Sequence, residues 1–117
     1  METGIKRIAI FTHTTIEFIQ LDQIVRFEGL QNYTRVFLTS EEMLVSTEGI
    51  GFYKSNLKNQ CFFSCHKSHC VNEAHVVRFH KEGHLEMSDT STVPLSRRKR
   101  EAFYTLVEER YRINLSD

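Results

Sequence analysis

The chain has 117 residues and a mass of 13.8 kDa, one domain's worth of sequence with material for one modest core. Hydrophobic residues make up 40% and charged residues 26%, a globular mix that excludes a disordered chain, and no apolar run approaches the ~20 residues that span a bilayer as a helix. Fifteen Lys and Arg balance fifteen Asp and Glu, but residues 1–50 carry net −3, residues 51–100 net +5 and residues 101–117 net −2, so a neutral total does not exclude a local positive face for an anionic partner.

Short β-branched and aromatic runs recur through the first 95 residues and predict many short strands. Ile5 to Phe11 alternates, with Ile8 and Ile10 on one face and Ala9 and Phe11 on the other. A turn at Thr12-His13-Thr14 leads to a partner strand from Thr15 to Gln20. Leu21 and Ile24 flank a short turn opened by Asp22, and Val25 to Glu28 forms a further strand. Gly29-Leu30-Gln31-Asn32 reads as a loop. Tyr33 to Leu38 reads as a strand with Tyr33, Arg35 and Phe37 on one side, Glu41-Glu42 as a turn, and Met43 to Ser46 as a strand. Ser46 or Thr47 is expected to cap a short helix with apolar positions Ile50, Tyr53 and Leu57, which Gly49 and Gly51 weaken.

After Phe62-Phe63 the chain turns polar from Ser64 to His69. Val76 to Phe79 and His84 to Met87 predict a hairpin with Gly83 at its turn, and Val93-Pro94-Leu95 an edge segment. The period then changes. Ala102, Phe103, Leu106, Val107 and Arg110 or Tyr111 share a helical stripe, with Ser96 as the expected N-cap. The basic run Arg97-Arg98-Lys99-Arg100 falls at the positive end of that helix's dipole, which local electrostatics disfavours and an external anion would offset. Phe52, Phe62, Phe63, Phe79, Phe103 and Leu106 are expected in the core. Tyr33 is expected to pack its ring inward and keep its hydroxyl near the surface.

Three clustered cysteines, Cys61, Cys65 and Cys70, do not form the framework of a small secreted domain, and the N-terminus lacks the pattern of a signal peptide. A cytoplasmic protein with free thiols is the expectation. Cys61, Cys65, His66, His69, Cys70 and His75 offer the ligand types of a zinc site, but the spacing lacks a Cys-x2-Cys knuckle, and neighbouring strand residues point to opposite faces. No metal or other cofactor is expected. No phosphate-binding glycine loop, His-Glu-x-x-His or Gly-x-Ser-x-Gly motif occurs, and no enzyme is expected.

Four segments, in order, resemble the LytTR family of transcriptional DNA-binding domains. Leu21-Asp22-Gln23-Ile24-Val25-Arg26-Phe27-Glu28-Gly29 resembles the family's LxxIxyxEa signature, and Asn32-Tyr33-Thr34-Arg35-Val36 its gNYtxi motif. Phe62-Phe63-Ser64-Cys65-His66-Lys67-Ser68-His69-Cys70-Val71-Asn72 resembles FfRcHkSylVN, and Val93-Pro94-Leu95-Ser96-Arg97-Arg98 resembles ipvSRr. The resemblance covers about residues 5–106 of a single domain, with a short extension over 107–117. It implies a mostly β, elongated arrangement of short antiparallel sheets with short helices and a C-terminal helix. It also implies a transcription regulator that reads double-stranded DNA from loops in successive major grooves.

On that resemblance Thr34, Lys67 and Arg98 are expected to contact bases, and Arg35, Ser68, Arg97 and Lys99 phosphates. Asn32, His66 and Asn72 are expected to orient the loops. The chemistry agrees for the cations, since Arg98 can present two donors to guanine O6 and N7 and Lys67 can reach a base or a phosphate. Ser64 stands where the family usually has Arg, and His69 and Cys70 replace bulky apolar residues, so Cys70 is expected at least partly buried. Binding as a dimer or as paired copies on repeated sites, and control by a separate regulatory protein, fit a chain with no receiver domain of its own. The alternative is a protein-interaction module that kept the scaffold and lost DNA binding.

Overall fold

The computed structural model describes residues 6–113; Ile5, the expected start of the first strand, and the last residues of the extension, 114–117, lie outside them. The fold is mostly β, with ten strands in three antiparallel sheets and two α-helices among the described residues. β1 (Arg7–Phe11) and β2 (Ile16–Gln20) form a hairpin whose turn is closed by Thr12 and Thr15. A 3-10 turn at Leu21–Gln23 leads into β3 (Ile24–Leu30), followed by β4 (Tyr33–Leu38) and β5 (Met43–Ser46). After α1 (Ile50–Leu57) come β6 (Phe62–His66) and β7 (His69–Asn72), completing a five-stranded sheet of order β5-β4-β3-β7-β6. A second 3-10 turn, Glu73–His75, precedes β8 (Val76–His80), β9 (His84–Met87) and β10 (Thr92–Pro94), a three-stranded sheet of order β10-β9-β8. The chain closes with α2 (Arg97–Arg110).

Three strands of the five-stranded sheet, β3, β7 and β6, are covered on both faces, which explains their dense apolar sequence. On one face Ile24, Phe27, Val36, Leu38, Phe62 and Cys70 pack with Tyr53 and Leu57 of α1 and Ile10 of β1. On the other, Val25, Cys65 and Val71 pack with Leu85, Met87, Val93, Leu95 and Phe103. Strict alternation cannot send Val25 to one face and Phe27 to the other. A β-bulge between Ile24 and Arg26 adds the residue that makes it possible. Phe27 stacks on Tyr53 with ring centroids 4.5 Å apart, and the Tyr53 hydroxyl is 2.6 Å from Ser46 Oγ, both buried. Arg26 joins the two sheets: its guanidinium lies over Phe37, 3.9 Å from the ring centroid, and its Nε donates to Ser91 Oγ at 3.0 Å.

Several expectations change. Gly29 and Leu30 extend β3, and the expected loop shrinks to a two-residue turn in which Gln31 takes φ 56°. The N-cap of α1 is Gly49; Ser46 stays in β5 because its hydroxyl is bonded to Tyr53. Thr47 instead donates from both its backbone N–H and its hydroxyl to the carbonyl of Phe11. The stretch around His69 pairs as a strand with β3. Ser96 occupies the N-cap of α2 without a side-chain cap, its Oγ buried and without a partner among the described residues. Phe62 and Phe103 are buried as expected and Phe63, Phe79 and Leu106 half-buried, but Phe52 is exposed beside Tyr53. The Tyr33 ring is also exposed, set against His13 at 5.6 Å rather than packed inward.

Candidate nucleic-acid interface

The β6–β7 turn presents Lys67. His66 and His69 face each other across it, their rings edge-on at 5.3 Å. The Ser68 amide donates to His66 Nδ1 at 3.1 Å, which makes that nitrogen an acceptor and fixes the ring against the turn. The turn's carbonyls are taken from outside it. Lys54 Nζ, from α1, donates to His66 O at 2.7 Å and Lys67 O at 3.0 Å, and the Gly29 amide donates to Ser68 O at 2.8 Å. With the backbone held, the Lys67 side chain remains exposed and Ser68 half-buried. Burial pushes the Lys54 ammonium below its ordinary pKa, and the nearby Lys99 adds to the effect. Burial also lowers the His69 imidazole, whose Nδ1 has no partner among the described residues.

The start of α2 lies against the same strand. The Ser96 amide donates to Cys65 O at 2.9 Å, and the Leu95 amide to Gly83 O at 3.0 Å. Arg97 and Arg98 are exposed on the first turn, and Lys99 and Arg100 are half-buried. Arg100 lies over Gly83, which has φ +133° and leaves the guanidinium room that a side chain would take. The Ser96–Cys65 bond sets the helix start beside β6, one residue before His66 and the Lys67 turn. The Gly29–Ser68 bond brings the β3–β4 turn to the same end of the sheet.

Of the residues expected to contact DNA, Lys67, Arg97 and Arg98 are exposed on this end, with Ser68 and Lys99 beside them. Thr34 corrects the expectation of a base contact. It is fully buried, and its Oγ1 donates to Glu48 O at 2.8 Å, because strand alternation places it with Val36 and Leu38 on the core side of β4. Arg35 is half-buried and pairs with Glu28 at 3.5 Å, so a carboxylate already neighbours it.

His66 holds the Ser68 amide within the turn. Asn72 works at the far end of β7. Its Nδ2 donates to Leu21 O and Ile24 O at 3.2 and 2.9 Å, and its Oδ1 accepts from the Ala74 amide at 3.0 Å, so it ties two 3-10 turns together rather than orienting the Lys67 loop. Asn32 is exposed at the β3–β4 turn and makes no side-chain hydrogen bond among the described residues. Sequence reasoning missed Lys54. Its one visible sign is position: it sits four residues after Ile50 and beside Tyr53, flanking the apolar stripe of α1.

The cysteines are all free, Cys61 exposed and Cys65 and Cys70 buried, and burial pushes both buried thiols up to about 12. Cys65 faces one core and Cys70 the other, and among the described residues no three His, Cys, Asp or Glu side chains converge as metal ligands. No helix among the described residues is long and apolar enough to cross a membrane.

No curated protein matches the chain at a significant level. Among solved structures, the LytTr DNA-binding domain of a Bacillus cereus protein has the same fold, with a TM-score of 0.76 at 19% identity, covering 89% of this chain and 98% of that one. The sequence profile of the LytTr DNA-binding domain matches residues 14–108, from the β1–β2 turn almost to the end of α2. With that match spanning most of the chain and the fold agreeing, the protein belongs to the LytTR family of DNA-binding domains, whose role is DNA binding in transcription regulation.

Proposed function

We propose that this domain binds duplex DNA sequence-selectively, reading major-groove edges from the β6–β7 turn and the start of α2. Lys67 and Arg98 are the base readers. Arg97, Lys99 and Ser68 hold phosphates, with Arg35 in a lesser part because Glu28 offsets its charge. The observation that carries this reading is the pairing of two exposed arginines on the first turn of α2 with a Lys67 turn whose backbone is immobilised. Base reading needs side chains that project from an ordered backbone, which a merely sticky surface does not. The longest dimension of the domain, 53 Å, exceeds the ~34 Å of one DNA turn, which suits contact with successive grooves. Thr34 drops out of the contact set, and the exposed Asn32 and Tyr33 stand at that edge instead. Location in the cytoplasm, pairing of copies on repeated sites and control by a separate regulatory protein belong to the same proposal.

Selection from a random duplex library tests the reading, followed by binding of wild type, Arg98→Ala, Arg97→Ala and Lys67→Ala to the selected and a scrambled duplex at two salt concentrations. Affinity should fall steeply with salt as phosphate contacts release condensed cations. Arg98→Ala should cost ~1–3 kcal/mol on the selected site and much less on the scrambled one, whereas Arg97→Ala should weaken both alike. Equal losses for Arg98→Ala remove it as a base reader. A folded protein that selects no site favours the interaction-module reading.

A further inference from the structure

We infer that Lys54 is a positioning residue for DNA recognition, acting through the backbone of the β6–β7 turn rather than by touching DNA. The inference rests on the proposed role of Lys67. An ammonium offers three donors and no acceptor. Two are spent on the successive carbonyls His66 O and Lys67 O, at 2.7 and 3.0 Å. The third carbonyl, Ser68 O, is taken by the Gly29 amide at 2.8 Å, and the Ser68 N–H is taken by His66 Nδ1. Three successive residues of a tight turn therefore have their backbone groups bonded to fixed partners on α1, on β3 and within the turn itself. Lys54 is the member of this set that reaches from another element with a side chain, and it sets the height of the turn above α1.

Removing Lys54 frees two carbonyls at the base of Lys67 without altering any group aimed at DNA. A lysine held in this way alters specificity more than general affinity, because base reading depends on side-chain placement and phosphate attraction does not. A direct phosphate contact would behave in the opposite manner.

The test has two arms. The first needs no DNA. In the unsubstituted protein, the Lys54 ammonium protons should exchange with solvent about ten-fold or more slower than those of exposed Lys67; equal rates overturn the inference. In Lys54→Met, the Ser68 and Gly29 amides should exchange faster, while those of Phe27 and Val36 keep their wild-type rates. A uniform rise across all four would mark a general loss of stability and overturn the specific role.

The second arm measures binding to the selected and scrambled duplexes. Lys54→Met should weaken the selected site about ten-fold and the scrambled one little, with the salt slope unchanged. In a Lys67→Ala background the same substitution should have no further effect. Equal weakening on both duplexes, a salt slope reduced by about one, or a full additive loss in the Lys67→Ala background would each overturn the inference. If the wild type selects no site, the DNA role of Lys54 falls with that of Lys67, while the exchange arm still reports whether the lysine holds the turn.

Discussion

Raising the pH above 9 should destabilise this domain through two thiols that the fold keeps neutral. Cys65 and Cys70 are 0% and 1% exposed, one in each core. Burial pushes each thiol from an ordinary value of 9.0 up to about 12, with the charge of Cys70 adding to the rise at Cys65. A raised folded pKa means that the folded state keeps a proton the unfolded chain releases. The stabilising contribution is complete below pH 9 and is lost as pH climbs from 9 toward 12. At pH 10 the loss is about 1.4 kcal/mol per thiol, close to 3 kcal/mol for the pair, against a total stability on the order of 5–15 kcal/mol. Tyr53 shifts in the same direction from an ordinary value of 10.0 and adds to the loss above pH 10, whereas Lys54 and Arg26, lowered by burial from 10.5 and 12.5, oppose it as pH rises toward those values; the differences between wild type and the cysteine variants isolate the thiols from all three. Urea unfolding under reducing conditions at pH 8, 9 and 10 measures the effect in wild type, Cys65→Ala, Cys70→Ala and the double variant. Each variant should be less stable at pH 8 through lost packing, yet lose about 1.4 kcal/mol less between pH 8 and 10 for each thiol removed. Parallel pH profiles for all four proteins would refute the reasoning. A thiol reagent applied to the native protein at neutral pH should label Cys61 alone.

Arg110→Met should lower stability by about 1–3 kcal/mol, toward the lower figure because Arg110 is itself half exposed. It leaves the Glu73 carboxylate, only 4% exposed, with the Tyr111 hydroxyl at 3.1 Å in place of an arginine at 2.7 and 2.8 Å, and denaturant midpoints will show the change. Gly83→Ala should cost about 1–2 kcal/mol, because φ is +133° and the new methyl group would displace the Arg100 guanidinium; a melting curve measures it. Thr34→Val should cost about 1 kcal/mol through the lost bond to Glu48 O and leave DNA affinity of the folded protein unchanged. A selective loss of affinity in binding titrations would return Thr34 to the interface.

The β pattern was legible because alternation survives in most strands, and the final helix because Phe103, Leu106 and Val107 repeat at helical spacing. Alternation even placed Thr34 correctly. Once Tyr33, Arg35 and Phe37 share one side, Thr34 must share the other with Val36 and Leu38, and only the carry-over from the loop motif set it at the DNA. The cap of α1 was misread for a different reason. Ser46 has the right chemistry for an N-cap, but its hydroxyl finds the Tyr53 phenol across the core, a partner that local propensity does not see. The bulge in β3 was equally hidden, since the run from Ile24 to Phe27 carries no glycine to announce it. Lys54 was beyond reach for distance alone: its acceptors lie twelve and thirteen residues along the chain, and nothing in its immediate neighbours tells a snorkelling lysine from a tethering one.

Three strands of the large sheet belong to both cores at once: β3 gives Phe27 to one and Val25 to the other, β7 gives Cys70 to one and Val71 to the other, and β6 gives Phe62 to one and Cys65 to the other. Neither half of the domain can therefore melt while its neighbour stays intact, because opening either side strips the packing from the same three strands. Unfolding should be all-or-none, and amides in the interior of these strands, such as those of Phe27 and Val71, should exchange only when the whole domain opens. The turn bearing Lys67 connects directly to β7, one of these shared walls, and inherits that rigidity. A reading edge built in this way meets DNA already ordered, so little conformational entropy is lost on contact, and a loosened core is felt first as a loss of discrimination between sites.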